Sequence, residues 1–162
     1  MSLDLTAYRR ALGAFATGVA VVTISDGQGG AFGITVNSFT SVSLEPPLIL
    51  WCLDDASDRR DPFVTAESFA VNILGGDDMA LSERFARGEE FRLTVDELAP
   101  VEGDAPPKLR HALSRLSCRT HERIQLGDHM VLVGEVTAFD TCEGDGLLYF
   151  RGRYARARGA EA

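Results

Sequence analysis

The sequence predicts a mainly β protein, a closed or partly closed antiparallel barrel with a few short helices. Three observations carry the prediction. At least six segments have the β-branched, apolar character of strands. They follow one another through turn signals instead of alternating with helices, which disfavours a parallel βαβ sheet. The chain has 162 residues, enough for one core and too few for two nucleotide-binding modules.

The elements follow in order. Leu5, Tyr8, Leu12 and Phe15 recur at helical spacing behind Asp4, a side chain suited to an N-cap, and Arg9 and Arg10 fall on the opposite face. This predicts an amphipathic helix ending near Gly18. The apolar run 19–24, the turn cluster Asp26-Gly27-Gln28-Gly29-Gly30 and the run 32–36 read as a β-hairpin. Pro46-Pro47 opens a strand over 48–53, which runs into the charged loop DDASDRRDP at 54–62. A short helix from Pro62, a strand over 69–74 closed by Gly75-Gly76, and a helix over 77–85 with Met79, Leu81 and Phe85 as burial candidates come next. The acidic, proline-containing stretch 88–107 reads as a long surface loop. Two long β runs, 112–124 and 129–139, are joined by residues 125–128, and a short strand over 147–150 precedes Gly152. The chain reads as one domain over 1–162, with 155–162 a flexible tail.

Charge narrows the partners. With 16 Lys+Arg against 24 Asp+Glu, the net charge is −8, which repels nucleic acid and anionic membranes. The excess acid lies in the middle of the chain, whereas Arg151, Arg153, Arg156 and Arg158 form a basic ending. Cys52, Cys118 and Cys142 are odd in number and lack CxxC or ligand-like spacing to a His, so neither a disulfide framework nor a metal site is expected. The N-terminus lacks the apolar core of a signal peptide and no stretch is long and apolar enough for a span. A cytoplasmic protein is the expectation.

P-loop, Rossmann, GxSxG and HExxH motifs are all missing from the sequence. What stands out is residues 33–43, where Thr35, Asn37, Ser38, Thr40, Ser41 and Ser43 crowd small polar groups into an apolar β context. Such a run is solvent-facing, internally satisfied, or turned toward a polar ligand, because unpaired burial costs free energy.

Six strings decide among these options: FATGVAVVT (15–23), GITVNSFTSVSLEPPL (33–48), FAVNIL (69–74), LSERFA (81–86), GDHMVLVGEV (127–136) and LLYFRGRY (147–154). In this order, over about residues 5–155, the chain resembles the short-chain flavin reductases. Those are flavin-binding split-barrel proteins that supply reduced flavin to two-component monooxygenases. The resemblance implies a Greek-key antiparallel split barrel and a homodimer with flavin near the subunit interface.

It also implies site residues. Thr35, Val36, Asn37 and Ser38 match the segment lining the flavin ring, with Ser41 a further contact and Trp51, Cys52 and Leu53 on the strand beside it. Fixed donors there favour the reduced ring, which gains negative charge at N1–C2=O2. The loop at 54–62 matches the phosphate turn, which makes Ser57, Arg59 and Arg60 the candidate ligands. Its four aspartates either orient the arginines or are simply solvated. Arg84, Phe85 and Ala86 match a segment closing over the ribityl-phosphate end, although Phe85 at helical spacing suits the core equally. His129, in the Gly-Asp-His element, is the nicotinamide contact, and Tyr154 lies at the nucleotide end. Arg151 or Arg153 meets pyrophosphate there, or balances acidic neighbours. His111 and His121 fall in no such element.

The activity implied is hydride transfer from NADH or NADPH to FMN or FAD, with the protein supplying position and electrostatics and no side-chain nucleophile or base. Reduced flavin then diffuses to a monooxygenase. Two alternatives stay open on the sequence: a flavoprotein with tightly bound FMN serving another acceptor such as a ferric complex, and a non-catalytic flavin-binding module.

Overall fold

A computed structural model describes residues 3–87 and 90–158. Helix α1 (Leu5–Leu12) is capped by Asp4, whose Oδ1 accepts from the Thr6 and Ala7 N–H groups at 2.9 and 3.2 Å. It stops at Gly13, well before Gly18, where the Ala14 and Phe15 N–H groups turn to the i−3 carbonyls of Ala11 and Leu12 at 3.1 and 3.0 Å and the Gly13 carbonyl accepts from Arg151 N–H at 2.9 Å. The chain then enters the short strand β1 (Thr17–Gly18) and the hairpin of β2 (Ala20–Ser25) and β3 (Ala31–Val36). A second hairpin pairs β4 (Thr40–Leu44) with β5 (Pro47–Asp54). After α2 (Arg60–Thr65), β6 (Ser68–Ile73) and α3 (Met79–Arg87) come β7 (Arg92–Leu93) and a 3-10 turn over Val95–Glu97. The long pair β8 (Ser114–Leu126) and β9 (His129–Thr141) leads to β10 (Gly146–Phe150) and β11 (Arg153–Ala157).

All strand pairs are antiparallel. The main sheet runs β4-β5-β9-β8-β6-β2-β3-β7 and a small sheet runs β1-β10-β11. Among the described residues this is a mainly β fold with three short helices, as the strand signals predicted. Strands β5 and β3, far apart in sheet order, are bridged by one side chain. Ser38, just past β3, accepts from Cys52 N–H of β5 at 2.9 Å and donates to the Cys52 carbonyl at 3.3 Å. The sheet therefore curls into a barrel with a seam between β3 and β5.

Strand β2 is buried on both faces, so it reads as a continuous apolar run. Ala20, Val22 and Ile24 face the barrel interior with Trp51, Phe63, Phe69, Val71 and Leu132. Val21 belongs to a second layer with Leu74, Phe85, Leu93 and Leu147, where α3 and the small sheet cover the barrel.

Two expectations need correction. The stretch 88–107 is not all loop: β7 pairs with β3 and the 3-10 turn carries a capping box, Thr94 with Glu97. Its exit is fixed by buried Asn72, whose Oδ1 accepts from Leu109 N–H at 2.9 Å. Nor does a tail begin at 155, because Ala155–Ala157 pair with Gly146–Leu148 in the small sheet. Residues 159–162 lie outside the described residues.

Candidate functional site

Two open clefts meet at the end of β3. One, of about 540 Å³, lies over the barrel seam and is lined by residues 34–38, Cys52, Leu53, Asp54, Ala56–Arg59, Ala86, Arg87 and His129. The other, of about 390 Å³, is lined by Val19, Thr35, Val36, Asn37, Ser82, Glu83, Ala86, Arg87, Tyr149, Gly152 and Tyr154. Thr35, Val36, Asn37, Ala86 and Arg87 belong to both.

The floor is an unfinished sheet edge. Gly33 N–H donates to the Phe91 carbonyl at 2.8 Å, away from β2. By antiparallel alternation the backbone groups of Thr35 and Asn37 face the same way, and β7 pairs β3 only at Ala31 and Phe32. Backbone donors thus point into the clefts. Side chains fix this edge: Thr35 Oγ1 donates to the Ser82 carbonyl at 2.8 Å, and Ser82 Oγ shares a 2.8 Å hydrogen bond with the Tyr154 hydroxyl. Tyr154 also packs edge-on against Tyr149, with ring centroids 5.3 Å apart.

At the other end, the loop after β5 folds on itself, with Ala56 N–H donating to Asp54 Oδ1 at 2.8 Å and Arg59 N–H to Ser57 Oγ at 3.3 Å. The Arg59 guanidinium is buried, donates from Nη1 to the Phe85 carbonyl at 2.7 Å and stands 5.1 Å from the Phe91 ring centroid. The β5–β9 register sets His129 opposite Asp54 at the rim. His129 Nδ1 lies 2.8 Å from Asp128 Oδ1, and that bond, with the residue's own N–H, holds the Asp128 carboxyl below its usual range. Burial pushes the Cys52 thiol up, partly offset by its hydrogen bond with Ser38, so Cys52 is a poor nucleophile. The site contains donors, the guanidinium groups of Arg59 and Arg87, and aromatic walls, and its acid–base contact, Asp128 with His129, lies at the exposed rim.

The flavin reductase like domain family matches residues 12–158. The chain belongs to that family. It is 41% identical over 155 residues to a probable flavin reductase of Rhizobium meliloti (strain 1021), covering 96% of this chain and 50% of that protein. It is 41% identical over 151 residues to the FMN reductase (NADH) SmoA of Agrobacterium fabrum (strain C58 / ATCC 33970), covering 92% of this chain and 84% of SmoA. Among solved structures, the styrene monooxygenase flavin reductase SMOB of Pseudomonas putida S12 superposes with a TM-score of 0.83 at 31% identity, covering 95% of this chain and 99% of SMOB. The chain thus spans half the length of the first of these relatives.

The fold of this flavin reductase family member gathers most of the candidates. Thr35, Val36, Asn37, Ser38, Cys52, Leu53, Ser57, Arg59, Ala86 and His129 line the seam cleft, and Tyr154 lines its neighbour. Others lie elsewhere. Trp51 points into the barrel, fully buried edge-on between Phe63 and Phe69, because alternate residues of β5 face inward. Ser41 is exposed on edge strand β4, beyond the seam. Arg60 turns away to Asp55, donating from Nε at 2.9 Å, which holds that carboxyl low. Arg84 pairs with Glu97 and donates to the Arg92 carbonyl, while Phe85 is core. Arg151 and Arg153 lie outside both clefts, Arg151 in a third beside α1 and Arg153 on the outer face near Phe150.

Sequence reading missed Ser82, Glu83, Arg87 and Tyr149. The signal was the helical period of LSERFAR: at 100° per residue, 82, 83, 86 and 87 share one face, 81 and 85 another, and 84 projects away from the cleft.

Proposed function

We propose that the chain is an NADH-dependent flavin reductase that takes FMN or FAD as a diffusible substrate and releases it reduced to a partner monooxygenase. The observation that carries this reading is the pair of joined open clefts floored by the free edge of β3. The donor set suits a flavin, since a planar ring with carbonyls along one edge needs backbone N–H groups and its phosphate needs a cation. Support for NADH, FMN and a monooxygenase partner comes from SmoA and SMOB, whose names carry those words.

When bound, the flavin supplies the chemistry by accepting a hydride from the dihydronicotinamide. The chain's own groups bind and orient. Thr35 and Asn37 offer backbone N–H groups to the ring, while Val36, Cys52 and Leu53 give it an apolar bed. Ser57, Arg59 and Arg87 receive the phosphate. His129 and Tyr154 stand where the nicotinamide enters, and Ser82 locks the Tyr154 hydroxyl so that the wall does not swing. Open clefts favour exchange of flavin over its retention.

A second copy of the chain is the expected cover for α1. Its Leu5, Tyr8 and Leu12 are exposed, and an eight-residue helix is marginal in water without a packed face. Among the described residues no helix is long and apolar enough to cross a membrane.

The test is NADH oxidation with added FMN or FAD after exhaustive dialysis. Colourless protein that turns over added flavin is the expected result. Yellow protein that retains its flavin would favour a tightly bound group, and no NADH oxidation with either flavin would end the reading. His129→Ala should raise the KM for NADH with little change in kcat, and unchanged kinetics would remove His129 from the nicotinamide site.

A further inference from the structure

The β8–β9 turn, which carries His129, and the loop that carries Ser57 and Arg59 leave neighbouring strands at the same rim of the seam cleft. The β5–β9 ladder ends on the pair Asp54 and His129. Beyond that last pair the two segments could separate, but they are stitched together. Asp55 N–H donates to the Asp128 carbonyl at 3.0 Å, and Asp55 Oδ2 accepts from Gln125 Nε2 near the end of β8. Its other oxygen, Oδ1, accepts from Arg60 Nε at 2.9 Å, at the start of α2. One residue therefore joins the entry of the loop, its exit and the facing turn.

The stitch continues to His129. Gln125 Nε2 also lies 3.2 Å from the Gly127 carbonyl and 3.2 Å from the His129 carbonyl, so the side chain that Asp55 engages spans the whole turn. Asp128, held at its carbonyl by Asp55, holds His129 Nδ1 at 2.8 Å through its own carboxylate. On the loop side, Ser57 N–H donates to the Asp54 carbonyl at 3.0 Å and Arg60 N–H to the Ser57 carbonyl at 3.2 Å. Ser57 thus sits in a short closed turn whose flanks, Asp55 and Arg60, clasp each other. Asp55 itself stays out of the ligand space, because Asp54 and Ala56 line the seam cleft on either side of it and it does not. The Arg60 bond, helped by Gln125 and by the His129 charge, holds its carboxyl below the ordinary 3.8 despite some burial, so the carboxylate that makes these contacts is an anion at neutral pH.

We propose that Asp55 is a positioning residue that couples the flavin phosphate to the nicotinamide contact. The inference rests on the reductase reading, which puts the phosphate at Ser57 and Arg59 and the nicotinamide at His129, and goes beyond it. A phosphate seated in the turn stills the loop. Through Asp55, the Gln125 side chain and Asp128, the His129 turn is then ordered before the dinucleotide arrives, and a ligand that meets an already ordered wall loses less entropy on binding. Linkage makes the effect reciprocal, so bound dinucleotide tightens the hold on flavin phosphate. Stacking of the two rings would also couple the ligands, but that contact is the same with or without a phosphate. Only a link through the loop depends on the phosphate.

The experiment uses flavin with and without its phosphate, FMN and riboflavin, each at saturation, on wild type, Asp55→Ala and Gln125→Ala. Gln125 is exposed, so its variant keeps the test decisive if Asp55→Ala fails to fold. Arg119→Ala, which breaks the exposed ion pair with Glu135 on the same β8–β9 hairpin, is the control. In wild type and control the KM for NADH should be lower with FMN than with riboflavin by about 5-fold or more, although the negative phosphate alone would repel the dinucleotide. In Asp55→Ala and Gln125→Ala the two values should converge, with kcat on FMN in place. Hydrogen exchange gives a readout without turnover: FMN should slow the amides of residues 125–130 more than riboflavin does in wild type, and no more than riboflavin in the two variants. Three results from a working reductase would overturn the coupling: equal KM for NADH with both flavins in wild type, a wild-type ratio in both variants, or a proportional rise with both flavins, the mark of a merely structural residue. A chain that binds no flavin would end the reductase reading itself, and the coupling with it.

Discussion

Gly33 in β3 is where the barrel meets the helix that carries half of the proposed site. A methyl group added there would stand 2.9 Å from Phe85 Cδ1, 3.0 Å from Cε1 and 3.3 Å from Leu93 Cδ1. Ordinary contact begins near 3.4 Å, so the ring has to retreat by roughly half an ångström. It has nowhere to go: Phe85 is fully buried and its carbonyl is held by Arg59 Nη1. The displacement therefore passes to α3. Overpacking of this kind costs about 1–3 kcal/mol, which at about 2–4 °C per kcal/mol for a chain of this size lowers Tm by roughly 2–12 °C. The same shift moves Ser82, Ala86 and Arg87 relative to Thr35, so flavin affinity falls together with stability. Urea denaturation and flavin fluorescence titration of Gly33→Ala read both effects. The double variant Gly33→Ala/Phe85→Leu isolates the contact, because trimming the ring should make the pair less damaging than the sum of the singles. Wild-type stability and flavin affinity in Gly33→Ala, or strict additivity in the double variant, would refute the reasoning.

Ser38→Ala removes the bridge across the seam and leaves Cys52 N–H unpaired. A loss of about 1–3 kcal/mol by denaturation, with weaker flavin binding, is expected, and a silent variant would mean that the seam is closed by other contacts. Burial would raise the Asp140 carboxyl, but hydrogen bonds from Arg115 Nε at 2.6 Å and Lys108 Nζ at 3.2 Å hold it below its ordinary value of 3.8. A lowered carboxylate stabilises the fold above its unfolded value and loses that contribution as pH falls through the folded one. Asp140→Asn should therefore flatten the pH dependence of stability below about pH 4, and superimposable acid limbs would contradict this. Thiol titration with an aromatic disulfide at mild alkaline pH should find exposed Cys142 first. Cys118, buried with its thiol pushed up to about 12, should react only on unfolding. A fast-reacting Cys118 in native protein would contradict the core assignment.

The sequence by itself determined the class of the fold and singled out segments that line the two clefts. Strand identity was legible because β-branched runs, proline starts and glycine turns act locally, and the polar run 33–38 advertised itself as a floor in need of partners. The family strings placed His129 and the loop at 57–59 beside that floor, where the structure puts them. Only the tertiary structure decided which way each side chain points. One residue's step along β5 sends Trp51 into the core and Cys52 to the cleft, and 100° around α3 divides Arg84, tied to Glu97, from Arg87, open to both clefts. Ion pairing was equally invisible in the sequence, since Asp55 and Glu97 claim Arg60 and Arg84 through contacts made by folding, while Arg9 and Arg10, remote from Arg151 in sequence, converge on it through one backbone hydrogen bond at Gly13. Local composition sets which segment becomes a strand, whereas the partner of a charge is chosen by distances that only the folded chain defines.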